Sequence, residues 1–162
     1  MLLLFRAFTF KISKSYRSIN SVVIRNPTKS WLQFITRRYE ELLSSQPVPF
    51  QELVPSRIPQ VAGVYLITAR KGGQEVPYYI GRTINLRRRL YTNHLMGPVA
   101  NARLKRYLIG SEEYRDVADA KRFIRDYCYV RWIEENNSRR RGAIEGYAIG
   151  LLFPKYGIYQ EH

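Results

Sequence analysis

Residues 63–95 read GVYLITARKGGQEVPYYIGRTINLRRRLYTNHL, and this stretch decides the fold. Val64, Leu66 and Ile67 surround Tyr65 in one run, and Val76, Tyr78, Tyr79 and Ile80 form a second. β-Branched and aromatic residues suit a pleated, half-buried surface, so both runs predict strands. Gly72-Gly73 supplies the turn between them. Gly81 ends the second run, Thr83 or Asn85 can cap the next segment, and Asn85 to His94 reads as a helix.

Outward from this unit, Ser44 to Pro49 (SSQPVP) cannot continue a helix and marks a boundary. It divides a basic extension, residues 1–46, from a core domain, residues 47–162. Within the extension, Leu32, Ile35, Tyr39, Leu42 and Leu43 recur at helical spacing, which predicts a helix from Ser30 to Leu43 with Ser30 as its cap. After the central unit, Pro98 to Ile109 predicts a helix with Ala102, Leu104, Tyr107 and Leu108 inward and Arg103, Lys105 and Arg106 outward. Asp116 to Asp126 predicts another, with a capping carboxylate, and Cys128 to Glu134 alternates like a third strand. A last helix runs from Ser138 to Phe153 and is stopped by Pro154.

The 162 residues carry 27 Lys+Arg against 13 Asp+Glu, a formal net charge of +14. Thirteen Tyr, 7 Phe and 2 Trp are interleaved with the cations. Cations that neutralise phosphates, beside rings that stack on bases, point to nucleic acid as partner rather than a membrane. The single cysteine, Cys128, excludes an intramolecular disulfide, and with only His94 and His162 as imidazoles a structural zinc site is excluded too. Any metal is a hard ion on oxygen ligands.

The first 26 residues contain no acid and open on MLLLF. That apolar start is too short to span a bilayer and lacks the flanks of a secretory signal. Three readings stay open: a mitochondrial presequence, an ordered arm, or a misassigned start. An intracellular protein is expected, in the cytoplasm, or in the mitochondrial matrix if residues 1–30 are a presequence.

Chemistry concentrates at a few positions. Glu145 is the lone charge from Gly142 to Pro154, and an isolated carboxylate in an apolar helix needs a cation. The candidates are one of Arg139 to Arg141 or a single Mg²⁺ or Mn²⁺ completed by water and substrate phosphate. Gly146 and Gly150 clear one line of that helix for a close backbone approach. On the arginine-rich helix, Leu86 and Leu90 define the buried direction, Arg88 points away, and Arg87 and Arg89 flank that direction by about 80° on either side. Arg87 and Arg89 are therefore equivalent as phosphate clamps.

Gly63-Val64-Tyr65, Tyr79-Ile80-Gly81, Arg89 and Glu145 together resemble the motif set of the GIY-YIG endonuclease superfamily, over about Gly63 to Gly157. The resemblance implies an α/β (α+β) fold with a small three-stranded antiparallel sheet flanked by helices. It favours Arg89 over Arg87. It implies a metal-dependent endonuclease acting on DNA, with RNA as the alternative substrate, through a one-metal mechanism. Glu145 would hold the ion, Arg89 bind the phosphate, Tyr65 help deprotonate water, and Tyr79 position water or phosphate.

Many members carry a histidine four residues after the arginine, where Asn93 stands and His94 follows one place later. Many carry an asparagine three residues after the proline, where this chain has Gly157; Gln160, Glu161 or His162 could substitute. Arg82, Arg87, Arg88, Arg103, Lys105 and Arg106 are expected to contact nucleic acid. Specificity is expected from the basic arm, the Arg103-Lys105-Arg106 helix or a partner protein. A non-catalytic nucleic-acid-binding module of the same fold is the rival reading.

Overall fold

A computed structural model describes residues 28–157; the targeting readings of the N-terminus and the tail residues Gln160, Glu161 and His162 lie outside them. The central hairpin pairs β2 (Gly63–Lys71) with β3 (Gln74–Thr83), antiparallel, with Lys71 opposite Gln74. Its two-residue turn needs positive φ at both positions, and Gly72 and Gly73 supply +59° and +81°. The register slips once, because Ile67 faces Tyr79 while Thr68 faces Pro77. Tyr78 is thus the extra residue of a β-bulge, and Tyr78 and Tyr79 both join the same core cluster.

β4 (Cys128–Glu134) pairs with the other side of β2, and a two-residue β1 (Val48–Pro49) pairs with β4. The sheet therefore has four strands, in the order β1-β4-β2-β3, rather than the three expected. Two residues give no readable alternation, and Pro49, without an N–H, is restricted to a sheet edge; for these reasons β1 is invisible as a pattern.

Alternation along β2 divides the interior in two. Tyr65, Ile67 and Ala69 face one cluster, closed by Phe50, Leu86, Leu90, Leu104, Leu108 and Ile124. Val64 and Leu66 face the other, where α1 (Lys29–Ser44) supplies Leu42 and α4 (Ser138–Leu152) supplies Ile144 and Ala148. The helix of the extension thus seals one face of the sheet. It is capped by Thr28, whose side chain accepts from the Trp31 N–H, and not by Ser30.

α3 (Val117–Tyr127) forms where expected, capped by Asp116, whereas α2 (Arg103–Gly110) starts at Arg103 rather than Pro98, after a separate 3-10 turn at Val99–Asn101. Two expectations about helix faces need correction. Lys105, expected outward, has no exposed surface; its ammonium is spent on the carbonyls of Asn93 at 2.8 Å and Gly97 at 2.6 Å. The line of Gly146 and Gly150 meets nothing, since a Cβ at either would find no atom within 4 Å.

The arginine-rich helix departs most. Asn85 caps it, accepting from the Arg88 N–H at 2.9 Å, but from Arg88 to Met96 it is a π-helix. Its carbonyl end is held by two ammonium groups, Lys105 as above and Lys121 on Met96 at 2.9 Å. Cations complement the partial negative charge of a helix C-terminus.

Because Leu42 is fully buried between α1 and the sheet, Leu42→Ala is expected to cost about 2–5 kcal/mol. Urea unfolding followed by far-UV circular dichroism should show one shifted transition for the whole domain, not separate loss of α1.

Candidate active site

The candidate residues meet around the outer edge of β3. Tyr65 lies on β2 opposite Gly81. A Cβ at Gly81 would stand 2.6 Å from the Tyr65 hydroxyl and 2.9 Å from the Tyr79 ring. Only glycine lets the Tyr65 phenol lie across the neighbouring strand. Gly63 answers a similar demand, since its Cβ would be 2.3 Å from the Ile133 carbonyl oxygen.

The Tyr65 and Tyr79 rings sit 6.2 Å apart, and each contacts His94 edge-on. The Tyr65 hydroxyl is 2.9 Å from Nε2 of His94, while Nδ1 is buried and without a partner. The π-helix explains how His94 arrives there. A π turn closes on residue i+5, and His94 is five residues after Arg89. The widened turn thus places His94 one turn beyond the arginine, whereas an α-helix would have brought Asn93 there.

Burial dominates the electrostatics. It raises Tyr65 well above the usual phenol range, and Tyr79 adds to the effect. Tyr79 is raised too, chiefly by burial, with Arg103 and Arg89 opposing. His94 is pushed down to about 3 by burial and then by the charges of Arg89 and Lys105. All three are neutral near pH 7.

Glu145 comes from α4, on the opposite face of the sheet. Burial raises its carboxyl and Arg82 opposes that shift; Arg82 Nε lies 3.0 Å from Oε2. The sequence suggested Arg139 to Arg141 as ionic partners, yet the partner is on β3. Gly142 permits this, because a Cβ there would meet the Arg82 guanidinium at 2.3 Å. A glycine three residues before the carboxylate was the available signal for this contact.

A cavity of about 440 Å³ is lined by Tyr65, Tyr79, Arg82, Arg89, Arg103 and Glu145, with Tyr107 and Gly157 at its walls. Sequence reasoning had left Tyr107 as core packing. Arg89 donates to the Asn101 carbonyl at 3.3 Å, and its Nε is buried without a partner. Arg87 instead donates to the Ile58 carbonyl at 2.8 Å, outside the cavity. Arg88 and Arg106 are exposed and also outside it, and Lys105 is buried. Gly157 has φ +96°, and a Cβ there would touch the Tyr79 ring at 3.4 Å.

As a metal site the cavity fits one kind of ion. Among the described residues no group of three His, Cys, Asp or Glu could enclose a metal. A caged ion does not fit, whereas Mg²⁺ keeps several waters and binds through one or two carboxylates plus phosphate, which Glu145 at the cavity wall can provide.

No family model matches the chain, and no curated protein does. Among solved structures it is similar to the GIY-YIG N-terminal endonuclease domain of UvrC from Thermotoga maritima. The magnesium-bound form is 26% identical with a TM-score of 0.40, covering 64% of this chain and 91% of that chain. A point mutant of that domain, bound to its catalytic divalent cation, gives 26% and 0.41 over 65% and 91%. The motifs in the sequence resemble the same superfamily.

Because His94 falls from an ordinary 6.5 to about 3 on folding, the unfolded chain binds its proton first as pH drops. Stability is then lost between about pH 6.5 and 3 and is unaffected above. At pH 5 the loss is on the order of 2 kcal/mol. Urea titrations at pH 7 and pH 5 should show this acid sensitivity reduced in His94→Gln.

Proposed function

We propose that the protein is a GIY-YIG-type endonuclease that hydrolyses phosphodiester bonds in DNA with the help of one divalent cation. The observation that carries this reading is the convergence of Tyr65, Tyr79, Arg89 and Glu145 on one cavity from separate elements of the fold. A carboxylate, a guanidinium and two phenols around a basic hollow suit phosphate better than any neutral substrate.

Glu145 would hold Mg²⁺ or Mn²⁺, which when bound supplies charge to the phosphate oxygens and lowers the pKa of water. Arg89 binds the non-bridging oxygens, its free Nε offering a further donor, and Arg103 adds a second guanidinium at the mouth. Tyr79 orients the attacking water or the phosphate. Tyr65 is neutral, and the 2.9 Å hydrogen bond to Nε2 of His94 holds its phenol so that the oxygen accepts a hydrogen bond from the attacking water and polarises its O–H. Arg82, 3.0 Å from Oε2, keeps charged and oriented the carboxylate that would hold the ion.

Purified protein should cut one or more of branched, nicked, single-stranded and duplex DNA with Mg²⁺ or Mn²⁺, and none with chelator. Glu145→Ala should abolish cutting while binding persists. Tyr65→Phe should slow single-turnover cleavage by about 10²–10⁴-fold. Binding without cutting on every substrate would identify a non-catalytic module and overturn the enzyme reading.

A further inference from the structure

A second hollow, of about 670 Å³, opens beside the first and shares Arg82 and Arg89 with it. Three elements build it: the end of β3 and the loop after it, the start of the π-helix with Arg88, and the N-terminal turn of α4 with Ser138, Arg139 and Arg141. Five of its eight lining residues are arginines, and none is acidic, aromatic or an amide. Among the described residues, Arg82 alone of the five pairs with a carboxylate.

The triplet Arg139 to Arg141 is sorted by its surroundings. Arg140 lies over the Phe34 ring at 4.8 Å, on the α1 side. Arg139 and Arg141 line the hollow, and Arg141, 7% exposed, is fixed by the carbonyls of Glu135 at 3.0 Å and Asn136 at 2.8 Å. A nearly buried guanidinium already ordered by backbone loses little freedom on meeting a phosphate.

We infer that this hollow is a backbone site for double-stranded DNA on one side of the cavity, with Arg88, Arg139 and Arg141 on successive phosphates. The inference rests on the proposed nuclease reading and names the form of substrate it takes. Arginines without acids bind phosphates. A channel for unstacked single strands relies on aromatic platforms, and the hollow has none. Duplex is therefore the form bound here.

Binding of a labelled duplex is measured by fluorescence anisotropy in chelator, from about 50 to 200 mM salt, so that cutting plays no part. The exposed pair Arg88→Gln/Arg139→Gln is expected to flatten the slope of log K against log salt by about 1.8, at about 0.9 per phosphate contact. Arg70→Gln, at the far end of the hairpin, should leave it unchanged. An unchanged slope in the double variant overturns the inference, as does an equal or larger loss on a single strand of the same sequence. Cleavage with an unchanged slope sinks this site and leaves the nuclease reading. A flattened slope in a protein that cuts nothing keeps this site and sinks the nuclease.

Discussion

A tyrosine on an inner strand reaches the rim of its sheet only if the strand between carries no side chain in its path. Tyr65 lies on β2, which has β4 on one side and β3 on the other, and it is 1% exposed. The residue facing it on β3 is Gly81, where a Cβ would collide with both Tyr65 and Tyr79. That single missing side chain lets one phenol touch His94 from one layer and the cavity from the other. Glycine weakens a strand interior, so its place here is set by this approach.

The edge position of β3 belongs to the same arrangement. An exposed edge offers unpaired backbone groups, and the chain covers part of this one itself: the N–H groups of Lys155 and Tyr156 donate to the carbonyls of Pro77 and Tyr78 at 3.0 Å each. Those bonds fall at the bulge, while the cavity takes its strand residues from Tyr79, Ile80 and Arg82. Elements from opposite faces, the π-helix and α4, approach each other around that edge. This is how Arg89 and Glu145, 56 residues apart, line one hollow although the sheet separates their cores.

The residues that line the cavity were legible where a short-range rule fixes them. Two runs of strand formers joined at Gly72-Gly73 put Tyr65 and Tyr79 on adjacent strands, and the isolation of Glu145 marked it as a charge in need of a partner. What could not be read depends on contacts made only in the folded chain. The 100° rule assumes an α-helix, in which Asn93 and not His94 lies one turn beyond Arg89, and no local pattern announced the π turn whose carbonyl end Lys105 and Lys121 hold. Lys105 read as outward because a lysine beside two arginines has the pattern of a solvated face; its carbonyl acceptors lie 8 and 12 residues earlier. Arg87 and Arg89, equivalent by angle, were separated by the Ile58 carbonyl, far away in sequence.

The same sorting changes what the net charge of +14 means. Many of the cations are occupied with the protein's own oxygens. Arg87, Arg141, Lys105 and Lys121 hold backbone carbonyls at loop and helix ends, Arg131 grips Glu75 across the sheet, and Arg140 covers an α1 ring. A composition count treats all of these as available to a polyanion, and it overstates the binding surface accordingly. Two of these contacts bear on that surface indirectly: the lysines hold the carbonyl end of the π-helix that carries Arg89, and the carbonyls holding Arg141 set it in the wall of the basic hollow. Among the described residues, five arginines line the hollow beside β3 while several other cations are spent on carbonyls and carboxylates, so position, rather than excess, decides what a polyanion would meet.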